Sequence, residues 1–167
     1  MPNRKSLILI GMPGAGKSTL GILLAKELKL DFLDTDVAIQ VREGEGLQDI
    51  LENQGYLALR AIEEEVLLAT ECHGKVIATG GSAVYSQKGM EYLKSCGLIV
   101  YLEASLDVLR NRIHNYETRG IARRPDQSFD ALFEERQALY RQYADLTVKC
   151  DDLNEEQVIE EILTLFH

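Results

Sequence analysis

The 167-residue sequence is poor in the residues that build metal centres and disulfide frameworks. It has three cysteines, none in a C-x-x-C pair, and its three histidines show no metal-ligand spacing. Cys72, Cys96 and Cys150 are therefore predicted to be free thiols in a reducing compartment, and we expect no zinc site. No apolar run approaches the roughly 20 residues that cross a bilayer, and the first residues lack the long apolar segment of a signal peptide. We expect a cytoplasmic protein without a membrane partner.

The sequence also lacks a surplus of positive charge. It has 18 lysines and arginines against 27 aspartates and glutamates, a net charge of −9. A general nucleic-acid-binding protein usually carries a basic surface, so we expect no nucleic-acid partner. If such an acidic chain holds an anion, its cations must be concentrated locally. Arginines do crowd one part of the chain, at Arg110, Arg112, Arg119, Arg123, Arg124 and Arg136.

Short apolar segments alternate with amphipathic segments from end to end. Strands are predicted at residues 7–10, 31–36, 76–79, 98–102 and 146–148. Helices are predicted at residues 17–28, 47–53, 56–71 and 89–95, and after the capping residues Ser105, Ser128 and Asn154. This order predicts one α/β domain over residues 1–167, with a parallel sheet covered by helices on both faces.

The segment GMPGAGKST, residues 11–19, follows the first predicted strand and fits G-x-x-x-x-G-K-[ST]. Small residues let the backbone N–H groups converge on phosphate oxygens, and the start of the next helix adds attraction for the anion. Lys17 can reach the β- and γ-phosphates, and the Ser18 hydroxyl can join the coordination sphere of Mg²⁺. The predicted nucleotide-binding residues of this P-loop are Gly14, Ala15, Gly16, Lys17, Ser18 and Thr19.

The remaining sequence disfavours two large classes of P-loop protein. GTPases commonly carry N-K-x-D and D-x-x-G, and neither string occurs here. Motor ATPases carry an apolar strand that ends in Asp-Glu, whereas the run at 98–102 continues into Glu103 and Ala104. A small-molecule kinase is therefore the leading class. A nucleotide-sensing protein that binds ATP without turnover is the alternative from another class.

Several motifs, in order, resemble the shikimate kinase family over essentially the whole chain. They are D-T-D at 34–36, L-A-L-R at 57–60, A-T-G-G-S-A-V at 78–84, an arginine-rich stretch at 116–126 and R-Q-A-L-Y at 136–140. The resemblance implies a five-stranded parallel sheet of order 2-3-1-4-5, acceptor-binding helices at about 37–72 and a mobile lid at about 112–127. It also implies a monomer that phosphorylates the 3-hydroxyl of shikimate with ATP and Mg²⁺, in aromatic amino acid biosynthesis.

The two acids of D-T-D are assigned by the resemblance to different partners. Asp34 is implied to hold Mg²⁺ with Ser18, and Asp36 to contact the acceptor hydroxyl. Because alternate residues of a strand point to the same side, both carboxylates are expected to line one cleft. Carboxylate oxygens suit Mg²⁺. Asp36 would orient the attacking hydroxyl and accept its proton late in the transfer.

Arginines and glycines are implied to complete the acceptor site. Arg60 and Arg136 would grip the carboxylate of the acceptor, for which a guanidinium is a bidentate partner. Glu63 lies three residues after Arg60, where it is expected to hold that arginine in place. Gly80 and Gly81 would let the acceptor ring approach the backbone.

The lid is implied to carry the remaining cations. Arg119 is expected to reach the transferring phosphate, with Arg123 and Arg124 as alternatives, and Arg112 is expected to stack on adenine. The catalytic residues implied by the resemblance are thus Lys17, Asp36, Arg119 and Arg136.

Three positions depart from the family pattern. Ser82 stands where the family has a third glycine and is expected to contact the acceptor; a positive φ there would be costly. Gly120 follows Arg119 where the family usually has proline, and Ala138 replaces the proline of R-x-P-L-Y. These departures motivate the alternative that the chain is a paralogous kinase for another small hydroxy or polyhydroxy acid.

Overall fold

The computed structural model describes residues 5–113 and 119–166. The strands are β1 (Ser6–Ile10), β2 (Asp31–Asp34), β3 (Lys75–Ala78), β4 (Gly97–Glu103) and β5 (Leu146–Lys149). The helices are α1 (Lys17–Leu28), α2 (Thr35–Glu43), α3 (Leu47–Gln54), α4 (Tyr56–Ala69), α5 (Gln87–Cys96), α6 (Leu106–Arg112), α7 (Phe129–Tyr143) and α8 (Glu155–Leu165). A short 3₁₀ helix, Ala83–Tyr85, follows β3.

The strands form one parallel sheet in the order β2-β3-β1-β4-β5, which confirms the predicted topology. Ile8 of the central strand lies between Ile77 of β3 and Ile99 of β4. All five residues of β1 are buried, as expected of a strand covered by helices on both faces. The carboxyl ends of β1, β2 and β3 meet at one edge of the sheet, where ligands bind in open α/β folds.

Local capping chemistry sets several helix boundaries. Ser105 and Ser128 accept hydrogen bonds from backbone N–H groups at the starts of α6 and α7. Asn154 and Gln157 form the predicted capping box of α8. Within the described residues, none of these helices has the length and apolar character needed to cross a bilayer.

The predicted second strand is two residues too long. It ends at Asp34, and Thr35 begins α2, a helix that the sequence patterns did not predict. Asp34 caps α2, because its carboxylate accepts hydrogen bonds from the backbone N–H groups of Asp36 and Val37 at 2.9 and 3.4 Å. Asp36 therefore lies in the first helical turn rather than on a strand, and the alternation argument does not apply to it.

The prediction of three free cysteines is wrong for one pair. Cys72, in the turn before β3, forms a disulfide with Cys96 at the end of α5, and Cys150 is buried and free. The two half-cystines are 24 residues apart, and the packing of α5 against α4 brings them together. His73 places a ring nitrogen within 4.8 Å of both sulfurs, but sulfurs bonded to each other are not available as thiolate ligands.

A second, smaller core lies apart from the one that surrounds the sheet. Ile39, Ile50, Leu59 and Val66, from α2, α3 and α4, pack with Ala122 of the arginine-rich stretch. The helices predicted to bind the acceptor are thereby tied to the segment that carries Arg119. This packing closes one side of the site described next.

Candidate active site

A cavity of about 370 Å³ opens at the carboxyl edge of the sheet. Its walls come from the P-loop, α2, α4, the turn after β3, residues 119–122 and α7. The charged side chains that line it are Lys17, Asp36, Glu63, Arg112, Arg119 and Arg136. Although the chain is acidic overall, four cationic side chains line this one cavity.

The P-loop forms the floor of this cavity. Gly16 begins α1 with a φ of 96°, a left-handed conformation that a side chain would strain. The Lys17 ammonium donates hydrogen bonds to the carbonyl oxygens of Gly11 and Met12 at 2.6 and 2.8 Å. Burial lowers the pKa of Lys17 to about 8, although the nearby Asp36 carboxylate opposes that shift. A bound polyanion would further stabilise the charged form of Lys17.

The other P-loop residues lie around this lysine. Gly14, Ser18 and Thr19 line the cavity, whereas Ala15 is buried and its backbone N–H donates to the Met12 carbonyl at 3.1 Å. Arg112, at the end of α6, donates to the Gly14 carbonyl at 3.1 Å. Arg112 therefore flanks the P-loop, in a position compatible with contact to a nucleotide base.

Ser18 and Asp34 form a pair of hard oxygen donors beside the P-loop. The Ser18 hydroxyl donates to Asp34 Oδ2 at 2.6 Å, while Asp34 Oδ1 caps α2. A hydroxyl and a carboxylate already in contact fit a small oxygen-seeking cation such as Mg²⁺.

Asp36 lines the cavity, as does Glu63. Burial, and then the negative charge of Asp34, raise the pKa of Asp36, whereas Lys17 and Arg119 oppose the shift. The ionised form of Asp36 is therefore unfavourable at this position unless cations lie nearby. A group in this state can accept a proton from a bound hydroxyl.

The glycine pair after β3 is held by two residues that sequence reasoning did not single out. The Gly80 N–H donates to the Thr35 hydroxyl at 2.9 Å, and the Tyr140 hydroxyl donates to the Gly81 carbonyl at 2.7 Å. A side chain at Gly80 would collide with the carboxylates of Asp36 and Glu63. Tyr140 is the last residue of the R-Q-A-L-Y motif, and this position is the sequence feature that could have identified it as a site residue.

Arg136 is almost completely buried against the cavity. Its Nη2 donates to the Ala122 carbonyl at 2.7 Å. Its Nε is also buried and meets no hydrogen-bond acceptor within the part of the chain that the structure describes. Because a buried guanidinium nitrogen without a hydrogen-bond acceptor is unfavourable, this side chain is suited to an anionic ligand.

Arg60 lies beside the main cavity rather than on its wall. It lines an adjoining cavity of about 280 Å³ with Tyr85, and its guanidinium stacks 3.7 Å from the centre of that ring. Arg60 Nε and Nη2 are buried and have no acceptor among the described residues. Burial lowers the pKa of Arg60. Tyr85 has no counterpart in the sequence predictions.

The expectation that Glu63 holds Arg60 is wrong. Glu63 is buried and instead accepts a hydrogen bond from the Ser82 hydroxyl. Burial, reinforced by the Asp36 carboxylate, raises the pKa of Glu63 to about 7, although the Ser82 bond opposes this. Ser82 has a φ of −94°, so the serine causes none of the backbone strain considered from the sequence.

The arginine-rich stretch is described from Arg119 onward, and residues 114–118 of the predicted lid lie outside the described residues. Arg119 lines the cavity. Arg123 donates to the carbonyls of Pro125 and Gln127, and Arg124 pairs with Glu135 at 3.3 Å. Of the three alternatives, Arg119 alone lines the main cavity in the described part of the chain.

Gly120 explains one departure from the family pattern. Its φ is +78°, which proline cannot adopt. Its N–H donates to the Gln48 side chain at 2.9 Å, and a Cβ at this position would lie 2.5 Å from the Cβ of Leu47. Glycine thus lets the segment lie directly on the start of α3.

The pKa of Glu63 predicts a pH dependence of stability that Glu63→Gln removes. The folded protein keeps the Glu63 proton up to about pH 7, whereas the unfolded chain releases it near 4.5. Since the folded state binds more protons in this window, its free energy of unfolding falls as the pH rises. At about 1.4 kcal/mol per pH unit, this contribution reaches about 3 kcal/mol.

Urea unfolding of the substrate-free protein between pH 5 and 8 measures this effect. The stability of the wild type relative to Glu63→Gln should decline up to about pH 7 and change little above it. Glu64→Gln, at the next position of α4, controls for a Glu-to-Gln change on this helix. Parallel stability curves for wild type and Glu63→Gln would contradict a raised pKa.

The chain is similar to known proteins over nearly its whole length. The family model for shikimate kinase matches residues 13–166. A shikimate kinase of Pseudomonas entomophila is 40% identical over 95% of this chain and 94% of its own length, and one of Sulfurihydrogenibium is 35% identical over 96% of both chains. The structure of shikimate kinase from Acinetobacter baumannii in complex with shikimate superposes with a TM-score of 0.87, at 30% identity, covering 98% of this chain and 93% of that one.

Proposed function

Because the chain belongs to the shikimate kinase family, we propose that it transfers the γ-phosphoryl group of ATP to the 3-hydroxyl of shikimate, giving shikimate 3-phosphate and ADP. The observation that carries this proposal is the single cavity lined by Lys17, Asp36 and Arg136. In this proposal Lys17 holds phosphates, Asp36 a hydroxyl and Arg136 an acid. One site would then meet the three chemical demands of the reaction.

The nucleotide side of the site is formed by the P-loop and Arg112. Backbone N–H groups at the start of α1 and the Lys17 ammonium would hold the β- and γ-phosphates. Arg112, beside Gly14, would contact the base. Ser18 and Asp34 would hold Mg²⁺, which when bound neutralises charge on the phosphates.

The acceptor side is formed by the turn after β3 and by two arginines. Arg136 and Arg60 carry buried guanidinium nitrogens without acceptors in the described part of the chain, and a carboxylate would satisfy them. The backbone at Gly80 and Gly81, with Ser82 beside it, would flank the acceptor ring. The proposed acceptor is therefore a compact hydroxy acid.

The transfer itself requires positioning more than strong base catalysis. The acceptor oxygen forms a bond to the γ-phosphorus while the bond from that phosphorus to the bridging oxygen breaks, and ADP leaves with that oxygen. Asp36 orients the hydroxyl and takes its proton. Arg119 and Lys17 stabilise the charge on the transferring group, and segment 119–122 limits the access of water to it.

We further propose that residues 1–167 act as one kinase domain, as a monomer in the cytoplasm. In this proposal residues of about 37–72 bind the acceptor, and residues of about 112–127 act as a lid. The second, smaller core supports the assignment of residues of about 37–72 to the acceptor, because it joins α2, α3 and α4 into one packed unit.

ADP release with ATP and Mg²⁺, measured against shikimate, quinate and gluconate, tests the function. Strong stimulation by shikimate alone is expected. Stimulation only by another acid would replace shikimate with that acceptor, as in a paralogous kinase. Tight ATP binding without stimulation by any acceptor would indicate a nucleotide sensor.

A further inference from the structure

One aromatic ring contacts both of the arginines that the proposed function assigns to the acceptor. Tyr85 lies in the 3₁₀ helix after β3 and lines the cavity of about 280 Å³ that contains Arg60. Its ring centre is 3.7 Å from the guanidinium carbon of Arg60 and 5.6 Å from that of Arg136. Both distances lie within the roughly 6 Å over which the face of an aromatic ring attracts a cation. A single ring thus stabilises one cation of α4 and one of α7.

These two cations lie close enough to act on each other. Burial lowers the pKa of Arg60, and the positive charge of Arg136 adds to this shift, so the two guanidinium groups repel. The charge of Glu135 opposes the shift, but this carboxylate already accepts hydrogen bonds from Arg124 and Gln127. Within the described residues, Arg60 Nε and Nη2 and Arg136 Nε have no acceptor.

Glu63 compensates the charge of Arg136 only in part. This carboxylate interacts with Arg136 and Lys17 and accepts a hydrogen bond from the Ser82 hydroxyl. Because burial raises the pKa of Glu63 to about 7, a large fraction of this side chain is uncharged at neutral pH. The ring of Tyr85, in contrast, attracts a cation without carrying a formal charge itself.

We propose that Tyr85 is a positioning residue whose ring holds the guanidinium groups of Arg60 and Arg136 next to each other, so that both bind the carboxylate of the acceptor. This inference rests on the proposed function for the identity of the acceptor. The face of a guanidinium can stack on an aromatic ring while its N–H groups, which lie in its plane, remain free for a planar carboxylate. The unpaired nitrogens of both arginines agree with this arrangement.

The ring of Tyr85, rather than its hydroxyl, makes these contacts. The hydroxyl is buried and forms no hydrogen bond among the described residues. Tyr56 also approaches Arg60, with its ring centre 5.0 Å from the guanidinium carbon. In the described part of the chain, Tyr85 is the aromatic residue whose ring lies within 6 Å of both arginines.

Aromatic side chains of similar size but different electron density test the proposal. Tyr85→Phe keeps the ring face, whereas pentafluorophenylalanine incorporated at position 85 keeps the ring and weakens its attraction for a cation. We expect the KM for shikimate within about twofold of wild type for Tyr85→Phe and about tenfold higher for the fluorinated ring. The values of kcat and of the KM for ATP should change less than about twofold in both, as for loss of acceptor binding alone.

Tyr92→Leu is the matched control for removal of an aromatic side chain. Tyr92 lies on α5, and its hydroxyl donates at 2.6 Å to the carbonyl of Thr70, which caps the end of α4. It therefore joins the segment after β3 to the same helix, at the end away from Arg60. Tyr85→Leu should raise the KM for shikimate about tenfold, whereas Tyr92→Leu should leave it unchanged.

A double-mutant cycle between Tyr85→Leu and Arg60→Met gives a readout that does not depend on catalysis. Urea unfolding of the substrate-free protein measures it. We expect the effect of Tyr85→Leu on the equilibrium constant of unfolding to be about fivefold smaller when Arg60 is replaced. Absence of this coupling, or an equal KM for phenylalanine and its fluorinated form, would overturn the proposal.

The same cycle separates the proposal from the assigned reaction. If the wild type shows no shikimate-dependent ADP release, the proposed function fails. The coupling between Tyr85 and Arg60 still decides whether the ring holds this arginine, and the KM comparison is then made with the acid that stimulates ADP release. An equal rise of the KM in Tyr85→Phe and Tyr85→Leu would assign the role to the hydroxyl and contradict the proposal.

Discussion

Replacing Arg119 with alanine lowers kcat for shikimate phosphorylation by about 10³-fold, because an arginine that stabilises the charge of a transferring phosphoryl group contributes at least that much. Arg119 lines the main cavity, and its positive charge lowers the pKa values of both Lys17 and Asp36. Its guanidinium is therefore close to the two groups that flank the proposed phosphoryl transfer. Steady-state ADP release at saturating ATP and shikimate measures the effect.

Arg123→Ala and Arg124→Ala are the matched controls, because both arginines belong to the same stretch and are directed elsewhere. Arg123 donates to backbone carbonyls of its own segment, and Arg124 pairs with Glu135. We expect kcat within about fivefold of wild type for each, because neither side chain lines the main cavity and an exposed polar contact contributes little. A loss of about 100-fold in either control, with Arg119→Ala near wild type, would transfer the role to that arginine.

The parts of the fold that follow local rules could be predicted from the sequence. Helix α1 has the predicted bounds, 17–28, because the P-loop motif fixes its start and the apolar periodicity ends where Lys29 adopts a φ of 57°. The capping box at Asn154 and Gln157 was likewise predicted, since both partners lie within one turn. The sheet order came from the resemblance and is confirmed by the strand pairing.

The D-T-D segment shows where a local rule gave the wrong element. Period-two alternation treats Asp34 and Asp36 as equivalent strand residues. The Asp34 carboxylate is instead used as a helix cap, which begins α2 at Thr35 and changes the direction of the next acid. The two aspartates still reach one site, but through a strand end and a helix turn.

Contacts between distant residues could not be predicted from sequence patterns. Ser82 is 19 positions from Glu63, and the disulfide joins residues 24 apart. Sequence spacing alone favoured a pair between Arg60 and Glu63. It could not show that the folded chain brings the Ser82 hydroxyl to Glu63. Tyr85 was missed for the same reason, because its contact with Arg60 depends on how the 3₁₀ helix packs on α4.

Asp36→Asn should lower kcat by about 10²- to 10³-fold, the range for loss of a positioned proton acceptor. Asparagine keeps the shape of the side chain and can still bond to a hydroxyl, but it cannot take the proton. Binding of ATP should be retained, because removal of a negative charge beside Lys17 does not weaken attraction for a polyanion. Single-turnover measurements at saturating ATP and shikimate isolate the chemical step.

Asp34→Asn separates this role from metal binding. Asparagine is also a good helix cap, so α2 should keep its start. Asp34 contacts Ser18, and we expect its loss to raise the Mg²⁺ concentration needed for half-maximal activity, whereas Asp36→Asn should be insensitive to added Mg²⁺. If excess Mg²⁺ restored Asp36→Asn, Asp36 would be a metal ligand. The proton of the acceptor hydroxyl would then need another acceptor. The assignment of Mg²⁺ binding to Asp34 and of proton acceptance to Asp36 would be wrong.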